Sequence, residues 1–177
     1  MRTISLTKGY FTKVDDEDYE KFSIYKWQAS VQVKNGVKKV RAMRSKTIEK
    51  KKRGIILSRE IMFAPDNKVV DHINEDTLDN RKINLRVCTH SENMMNRGKQ
   101  NNNTSGYKGV IWAKRHKKWA VDIWINHKNK RIGYFDSKIN AAKAYDIMAI
   151  KHYGEFANLN IKPERAIISY RETNRSR

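Results

Sequence analysis

Val69-Val70-Asp71-His72-Ile73-Asn74, then Asn84-Leu85-Arg86 beyond a polar loop, then Thr89-His90-Ser91-Glu92-Asn93, is the stretch that decides the fold. The apolar pair Val69-Val70 predicts a short strand ending at Asp71 and His72, where a side chain can be held at the edge of a pocket. Leu85 to Cys88 predicts a second short strand. Thr89 and Glu92 have the S/T-x-x-E spacing of a capping box, so a helix starts there with Asn93 in its first turns. Two antiparallel strands and a helix then bring Asp71, His72, Asn84 and Asn93 to one point.

Those groups suit phosphodiester cleavage. An Asp carboxylate and an Asn carbonyl are hard oxygen donors for Mg²⁺ or Mn²⁺, and two protein ligands leave room for water and a phosphate oxygen. A neutral His beside the cation can take a proton from an attacking water, and a second Asn accepting from its other ring nitrogen fixes the tautomer. The competing reading is a solvated Asp-His pair among turn-forming asparagines. His90 is either a further ligand or phosphate contact, or an exposed residue inside the capping box.

Val70-Asp71-His72-Ile73-Asn74, Leu78-Asp79-Asn80-Arg81, Asn84-Leu85-Arg86 and Asn93-Met94-Met95-Asn96-Arg97 together resemble the HNH nuclease motif in its H-N-N form, as in phage and intron homing endonucleases. The resemblance implies a ββα-metal core with Asp71 and Asn93 on the metal, His72 as general base and Asn84 orienting His72. Arg86 and Arg97 are assigned to DNA contact. Leu6-Thr7-Lys8-Gly9, Val14 to Tyr19 and Tyr25-Lys26-Trp27 resemble the segment preceding the motif in phage endonucleases. Two departures are visible: Ser58-Arg59 where relatives often have His-Arg, and Glu75 where many have Gly.

The 177 residues carry 38 Lys and Arg against 19 Asp and Glu, a formal net charge of +19. Such an excess holds a protein on polyanions. No long apolar stretch or basic amphipathic helix stands out, and Met1-Arg2-Thr3-Ile4 lacks a signal-peptide core, so double-stranded DNA rather than a membrane is the expected partner, in the cytoplasm of a bacterial or phage-infected cell. The single Cys88 excludes an intramolecular disulfide and gives no Cys-x-x-Cys knuckle, so no structural zinc is expected. No obligate protein partner is evident, and a monomer is expected.

Ile4 to Val14 predicts a strand pair around Gly9, and Tyr19 to Trp27 a short helix begun by the acidic run Asp15 to Asp18. Asn35-Gly36 predicts a hairpin within Gln28 to Arg44. Lys46 to Arg53 reads as a loop, either solvated or contacting phosphate, before Ile55 to Met62 returns to the core.

The expected fold class is α+β. A β-rich segment over 1–66 precedes the nuclease motif at 67–97. A polar linker spans 98–106, a small DNA-binding domain 107–160, and a basic tail 161–177. In the fourth segment, strands over Tyr107 to Trp112, Trp119 to Asn126 and Lys130 to Phe135 precede a helix over Ser137 to Tyr153, closed by Gly154. Val121, Ile123 and Ile125 share one face of the middle strand, Asp122, Trp124 and Asn126 the other. Lys108, Trp112, Lys114, Arg115, Lys118, Trp124, Lys130 and Arg131 are the expected DNA contacts on the free face and its rim.

Tyr107-Lys108-Gly109-Val110, Trp119 to Ile123, Ile132-Gly133-Tyr134-Phe135, Ala141 to Asp146 and Ala157-Asn158-Leu159-Asn160 resemble the AP2 DNA-binding domain in order. Ile111 and Trp124 stand where plant members have arginine, so their GC-rich target does not carry over. The whole reads as a homing-type DNA endonuclease leaving 5′-phosphate and 3′-hydroxyl ends and nicking one strand per active site. The rival is a non-catalytic DNA-binding regulator on the same scaffold; a ribonucleoprotein component rests on charge alone.

Overall fold

The computed structural model describes residues 1–34 and 36–161; Asn35 and the expected basic tail beyond Ile161 lie outside the described residues. The chain divides into two compact units, one over Met1–Met94 and one from Met95 onward. Both are built of small antiparallel sheets with few helices.

In the first unit β1 (Arg2–Ser5) pairs with β2 (Phe11–Val14), as the strand pattern around Gly9 predicts. The acidic run forms the start of α1 (Asp16–Phe22), as expected, but the helix ends at Phe22 instead of running on to Trp27. Three carboxylates in the first turn suit the positive end of the helix dipole. Trp27 leaves the helix, bridges Leu6 and donates its indole N–H to the Phe22 carbonyl at 2.8 Å.

β3 (Gln28–Lys34), β4 (Val37–Ile48) and β5 (Lys51–Ile56) form the next sheet. Lys34 opposes Val37, so β3 and β4 pair as the predicted hairpin requires. The loop expected over Lys46 to Arg53 is instead a second hairpin, with Lys46 opposite Arg53 and Ile48 opposite Lys51. Glu49 and Lys50 both take left-handed backbone, φ 50° and 61°, which makes a two-residue turn without glycine or asparagine.

α2 (Leu57–Ile61) follows, and then β6 (Val69–His72) pairs antiparallel with β7 (Leu85–Cys88) before α3 (His90–Met95). Arg59 donates to the carbonyls of Ala64, Pro65 and Lys68 and so shapes the approach to β6. The capping box is formed: the Thr89 N–H donates to Glu92 Oε2 at 2.7 Å and the Glu92 N–H to Thr89 Oγ1 at 3.2 Å. Buried Leu6, Val14, Trp27, Val40, Leu57, Ile61 and Leu85 join the strands and helices of this unit into one core. Cys88 is buried with it as a small apolar residue, its thiol pKa pushed up by that burial.

β2 also reaches the loop between β6 and β7. The Lys13 N–H donates to the Leu78 carbonyl and the Asn80 N–H to the Lys13 carbonyl, both at 2.8 Å, so residues 78–80 lie along β2 like an added strand. Asp15 accepts from the Lys82 N–H. Glu75, in the same loop, stands at φ 64°, where glycine is the unstrained residue.

In the second unit β8 (Val110–Ala113), β9 (Lys118–Ile125) and β10 (Lys128–Phe135) form a sheet in the order β10-β9-β8, covered by α4 (Lys138–Tyr153). Ser137 caps α4 by accepting from the Ile139 N–H at 3.2 Å. Val110, Val121, Ile123, Ile125, Ala141, Ala142, Tyr145 and Ala149 make the core. Gly109 has φ 72°, and a Cβ there would come within 2.3 Å of the Tyr145 ring. The segment expected as a plain linker is tied down in its second half. Asn103 Oδ1 accepts from the Gly106 N–H, Asn103 Nδ2 donates to the Tyr107 carbonyl, and Ser105 is buried.

Candidate functional site

The β6–β7 register sets Asp71 opposite Arg86 and His72 opposite Leu85. Arg86 donates from Nε at 2.9 Å and from Nη2 at 2.7 Å to Asp71 Oδ2, and both residues are buried, 9% and 6% exposed. Two ions this far from water are held only because they pair. The assignment of Arg86 to DNA contact is therefore corrected: its guanidinium faces the Asp71 carboxylate across the strand pair.

His72 is half-buried at the end of β6, and burial lowers its pKa from the ordinary value against the opposing pulls of Asn80 and Asp71. Burial thus favours the neutral imidazole, the form a general base needs. Its Nε2 lies 3.1 Å from Asn80 Oδ1. Asn84, expected to orient the ring, works elsewhere. Its Oδ1 accepts from the Asn74 N–H at 2.9 Å and its Nδ2 donates to the Asp79 carbonyl at 2.7 Å, which fixes the loop after β6. Asn80 is the asparagine at the histidine.

Asp79, 1% exposed, closes that loop, accepting from Asn74 Nδ2 and from the Arg81 guanidinium at 2.6 and 2.7 Å. Arg81 holds the Asp79 carboxyl below its ordinary value. Arg41 on β4 is a group the sequence reading missed: its charge acts on the His72 ring and it makes no ion pair among the described residues.

Asn93 lies in the first turn of α3, half-exposed, with no side-chain hydrogen bond among the described residues. His90 is exposed within the capping box. A carboxylate and an amide oxygen are the hard donors a divalent cation takes, and the described residues gather no group of three or more His, Cys, Asp or Glu that would enclose one. The donor chemistry of Asp71 and Asn93 fits Mg²⁺ or Mn²⁺, and Asp71 already shares its charge with Arg86.

In the second unit the register sorts the expected contacts. Ile111, Ala120 and Tyr134 lie side by side on the face away from α4, as do Asp122 with Arg131 and Trp124 with Asn129. The bulge between Arg131 and Gly133 puts Arg131 and Tyr134 on one face although they are three apart, and Arg131 donates to the Tyr134 hydroxyl at 2.9 Å and pairs with Asp122. Trp124 is 60% exposed. Lys114 and Arg115 are exposed in the turn before β9, and Arg97 is exposed after α3.

Three expected contacts lie off the open face, and a fourth, Lys118, has an exposed ion-pair partner. Trp112 opposes Trp119 and Lys130 opposes the buried Ile123, so both lie on the helix side of the sheet. Lys108 donates to the Met95 carbonyl at 2.7 Å and lies 5.9 Å from the Tyr145 ring centre, which turns it inward. Lys118 pairs with Asp136 at 3.2 Å.

A family model described as HNH endonuclease matches residues 64–95, the span of the strand pair and all of α3. That segment is an HNH endonuclease domain. The chain is 35% identical over 98 residues to an uncharacterized HNH endonuclease of Acanthamoeba polyphaga mimivirus, covering 54% of this chain and 49% of the relative. It is 36% identical over 64 residues to Protein 3.8 of Escherichia phage T7, 36% of this chain and 53% of that one. It thus spans about half the length of these relatives. A further stretch of 57 residues, 32% of the chain, is 40% identical to 13% of APETALA2-like protein 2 of Oryza sativa subsp. indica, a partial likeness. No solved structure matches. The HNH segment therefore carries His72, Asn80, Asn84 and Asn93 together, while Arg41 lies outside it.

Proposed function

We propose that the protein is a metal-dependent, site-directed DNA endonuclease of the homing type, cutting one strand at the HNH segment and binding duplex DNA through the sheet of the second unit. The observation that carries this reading is His72: a neutral imidazole at a strand end, beside a carboxylate and held by an asparagine, within a segment matching an HNH endonuclease family.

His72 takes the proton of the attacking water. The water oxygen bonds to phosphorus as the bond to the 3′ oxygen breaks, and that oxygen takes a proton from solvent, leaving 5′-phosphate and 3′-hydroxyl ends. Asp71 and Asn93 would hold Mg²⁺ or Mn²⁺, which supplies charge neutralisation at the phosphate and the leaving oxygen. Arg41 adds positive charge that acts at the His72 ring. For binding, residues 95–161 hold 13 Lys and Arg against 4 Asp and Glu, and the outer sheet face presents Ile111, Trp124, Arg131 and Tyr134. Cations for the backbone and apolar groups for base edges suit duplex DNA, as the AP2 likeness supports.

One observation favours a second reading, a DNA-binding regulator without cleavage: Arg86 already neutralises Asp71. Supercoiled plasmid incubated with Mg²⁺ or Mn²⁺, with EDTA, and with His72→Ala separates the two. Nicked circles that need the metal, with a rate lowered by about 10² to 10⁴ in His72→Ala and DNA affinity unchanged, support the nuclease. Tight binding with no nicking in either metal supports the regulator.

A further inference from the structure

Three buried polar groups run from His72 to the N-terminal hairpin. Asn80 Oδ1 lies 3.1 Å from His72 Nε2, Asn80 Nδ2 donates to Thr12 Oγ1 at 2.7 Å, and the Thr12 hydroxyl donates to the Leu78 carbonyl at 2.8 Å. Thr12 is 0% exposed and Asn80 1%, so water is excluded from the chain of bonds. Thr12 and Asn80 are 68 residues apart in sequence, and Thr12 lies outside the HNH segment. The ladder between Lys13 and residues 78–80 fixes the backbone on both sides.

This chain of bonds has only one direction. A backbone carbonyl accepts and never donates, so the single hydroxyl proton of Thr12 points to Leu78. The hydroxyl oxygen then accepts from Asn80, which turns the amide nitrogen toward Thr12 and the amide oxygen toward His72. An acceptor facing Nε2 requires the ring proton on Nε2. Reversing the amide would leave the Thr12 and Leu78 oxygens 2.8 Å apart with no proton between them, in a site without water to compensate.

We propose that Thr12 is a positioning residue which, through Asn80, selects the Nε2–H tautomer of His72 and so makes Nδ1 the nitrogen that accepts the proton of the attacking water. The last clause rests on the nuclease reading; the tautomer does not. β2 and the HNH segment form one device, because the hydroxyl that orients the histidine comes from the N-terminal strand pair. Groups that hold a functional histidine from behind fix its ring orientation and tautomer, and removing them costs roughly 10- to 100-fold.

The test uses the full chain with ¹⁵N-labelled histidine, without metal or DNA, at about pH 8, where a histidine is neutral. Ring ¹⁵N–¹H correlation, assigned by the peak lost in His72→Ala, should show the proton on Nε2 in the native protein. Thr12→Val, which keeps the shape and removes the hydroxyl, should give a mixture of tautomers, and Thr12→Ser should restore Nε2–H. Thr12→Ala removes the same group and carries the test if the valine variant does not fold. The nicking rate at saturating DNA should fall roughly 10- to 100-fold in Thr12→Val and return in Thr12→Ser, with the DNA concentration for half-maximal rate unchanged. A proton on Nδ1 in the native protein, or an undiminished Nε2–H in the folded valine or alanine variant, overturns the proposal. If the tautomer follows Thr12 but no variant nicks, the tautomer assignment stands and the nuclease reading falls.

Discussion

The two units use polar side chains in opposite ways. In the first, Asp71, Arg86, Asn80, Thr12 and Asp79 are buried and bonded to one another or to backbone. In the second, Trp124 stands 60% exposed on an open sheet face, with Arg131 and Tyr134 beside it. Chemistry at a phosphate needs groups whose direction is fixed before the substrate arrives, and burial supplies that. Recognition needs groups that remain in water until DNA displaces it. The first unit therefore has these polar groups tied to stability, while the exposed groups on the open sheet face of the second are almost free of it.

Breaking the Asp71–Arg86 pair should show the largest stability effect. Arg86→Ala leaves the buried Asp71 carboxylate without its guanidinium, at a cost of about 3 to 5 kcal/mol, read as a lowered midpoint in urea denaturation. Asp71→Leu combined with Arg86→Leu should recover most of that stability, since apolar groups of similar volume replace a buried pair well, yet nicking should not return. Recovery of both would remove Asp71 from the site.

The opposite contrast comes from Trp124→Ala. An exposed ring contributes little to folding, so the denaturation midpoint should stay within about 0.5 kcal/mol of the native protein. Lost base or sugar contact should weaken DNA binding about 5- to 30-fold, equivalent to roughly 1 to 2 kcal/mol. A large loss of stability with unchanged affinity would place Trp124 in the core economy of its unit and take it out of the interface.

Local signals made much of this legible. Asn35-Gly36 marks its hairpin, Thr89 and Glu92 mark the start of α3, and Ser137 marks α4. The turn at Glu49-Lys50 carries no such signal, because it is held by the β4–β5 ladder in spite of two strained residues. Which asparagine faces His72 could not be read either. Asn80 and Asn84 are equivalent in the sequence, and the choice is made by β2, far upstream. Arg86 was within reach: pairing the two short strands antiparallel sets it opposite Asp71. On the second sheet the bulge near Ile132 shifts the alternation of β10, so Lys130 falls on the helix side while Arg131 joins Tyr134, and the regular β8–β9 register puts Trp112 on the helix side.

The smallest expected effect concerns pH, and it tests how far the first unit depends on its buried charges. Hydrogen bonds from Arg81 lower the Asp79 pKa below its ordinary value near 3.8, against the opposing effect of burial. The unfolded chain then binds more protons than the native one between the two values, so stability rises with pH there. The contribution of Asp79 is fully present above about pH 4 and is lost as pH falls through the depressed native value. Asp79→Asn removes this carboxyl, so its stability relative to the native protein should improve as pH is lowered below about 4, measured as the difference in urea midpoints across that range. The second unit supplies the control. Asp136 pairs with Lys118 in the open, where an ion pair contributes little, and Asp136→Asn should leave the urea midpoint close to that of the native protein. If both variants behave alike, the loop that presents His72 is not held by its buried carboxylate, and the contrast between the two units rests on the Asp71–Arg86 pair and the Thr12–Asn80 bonds alone.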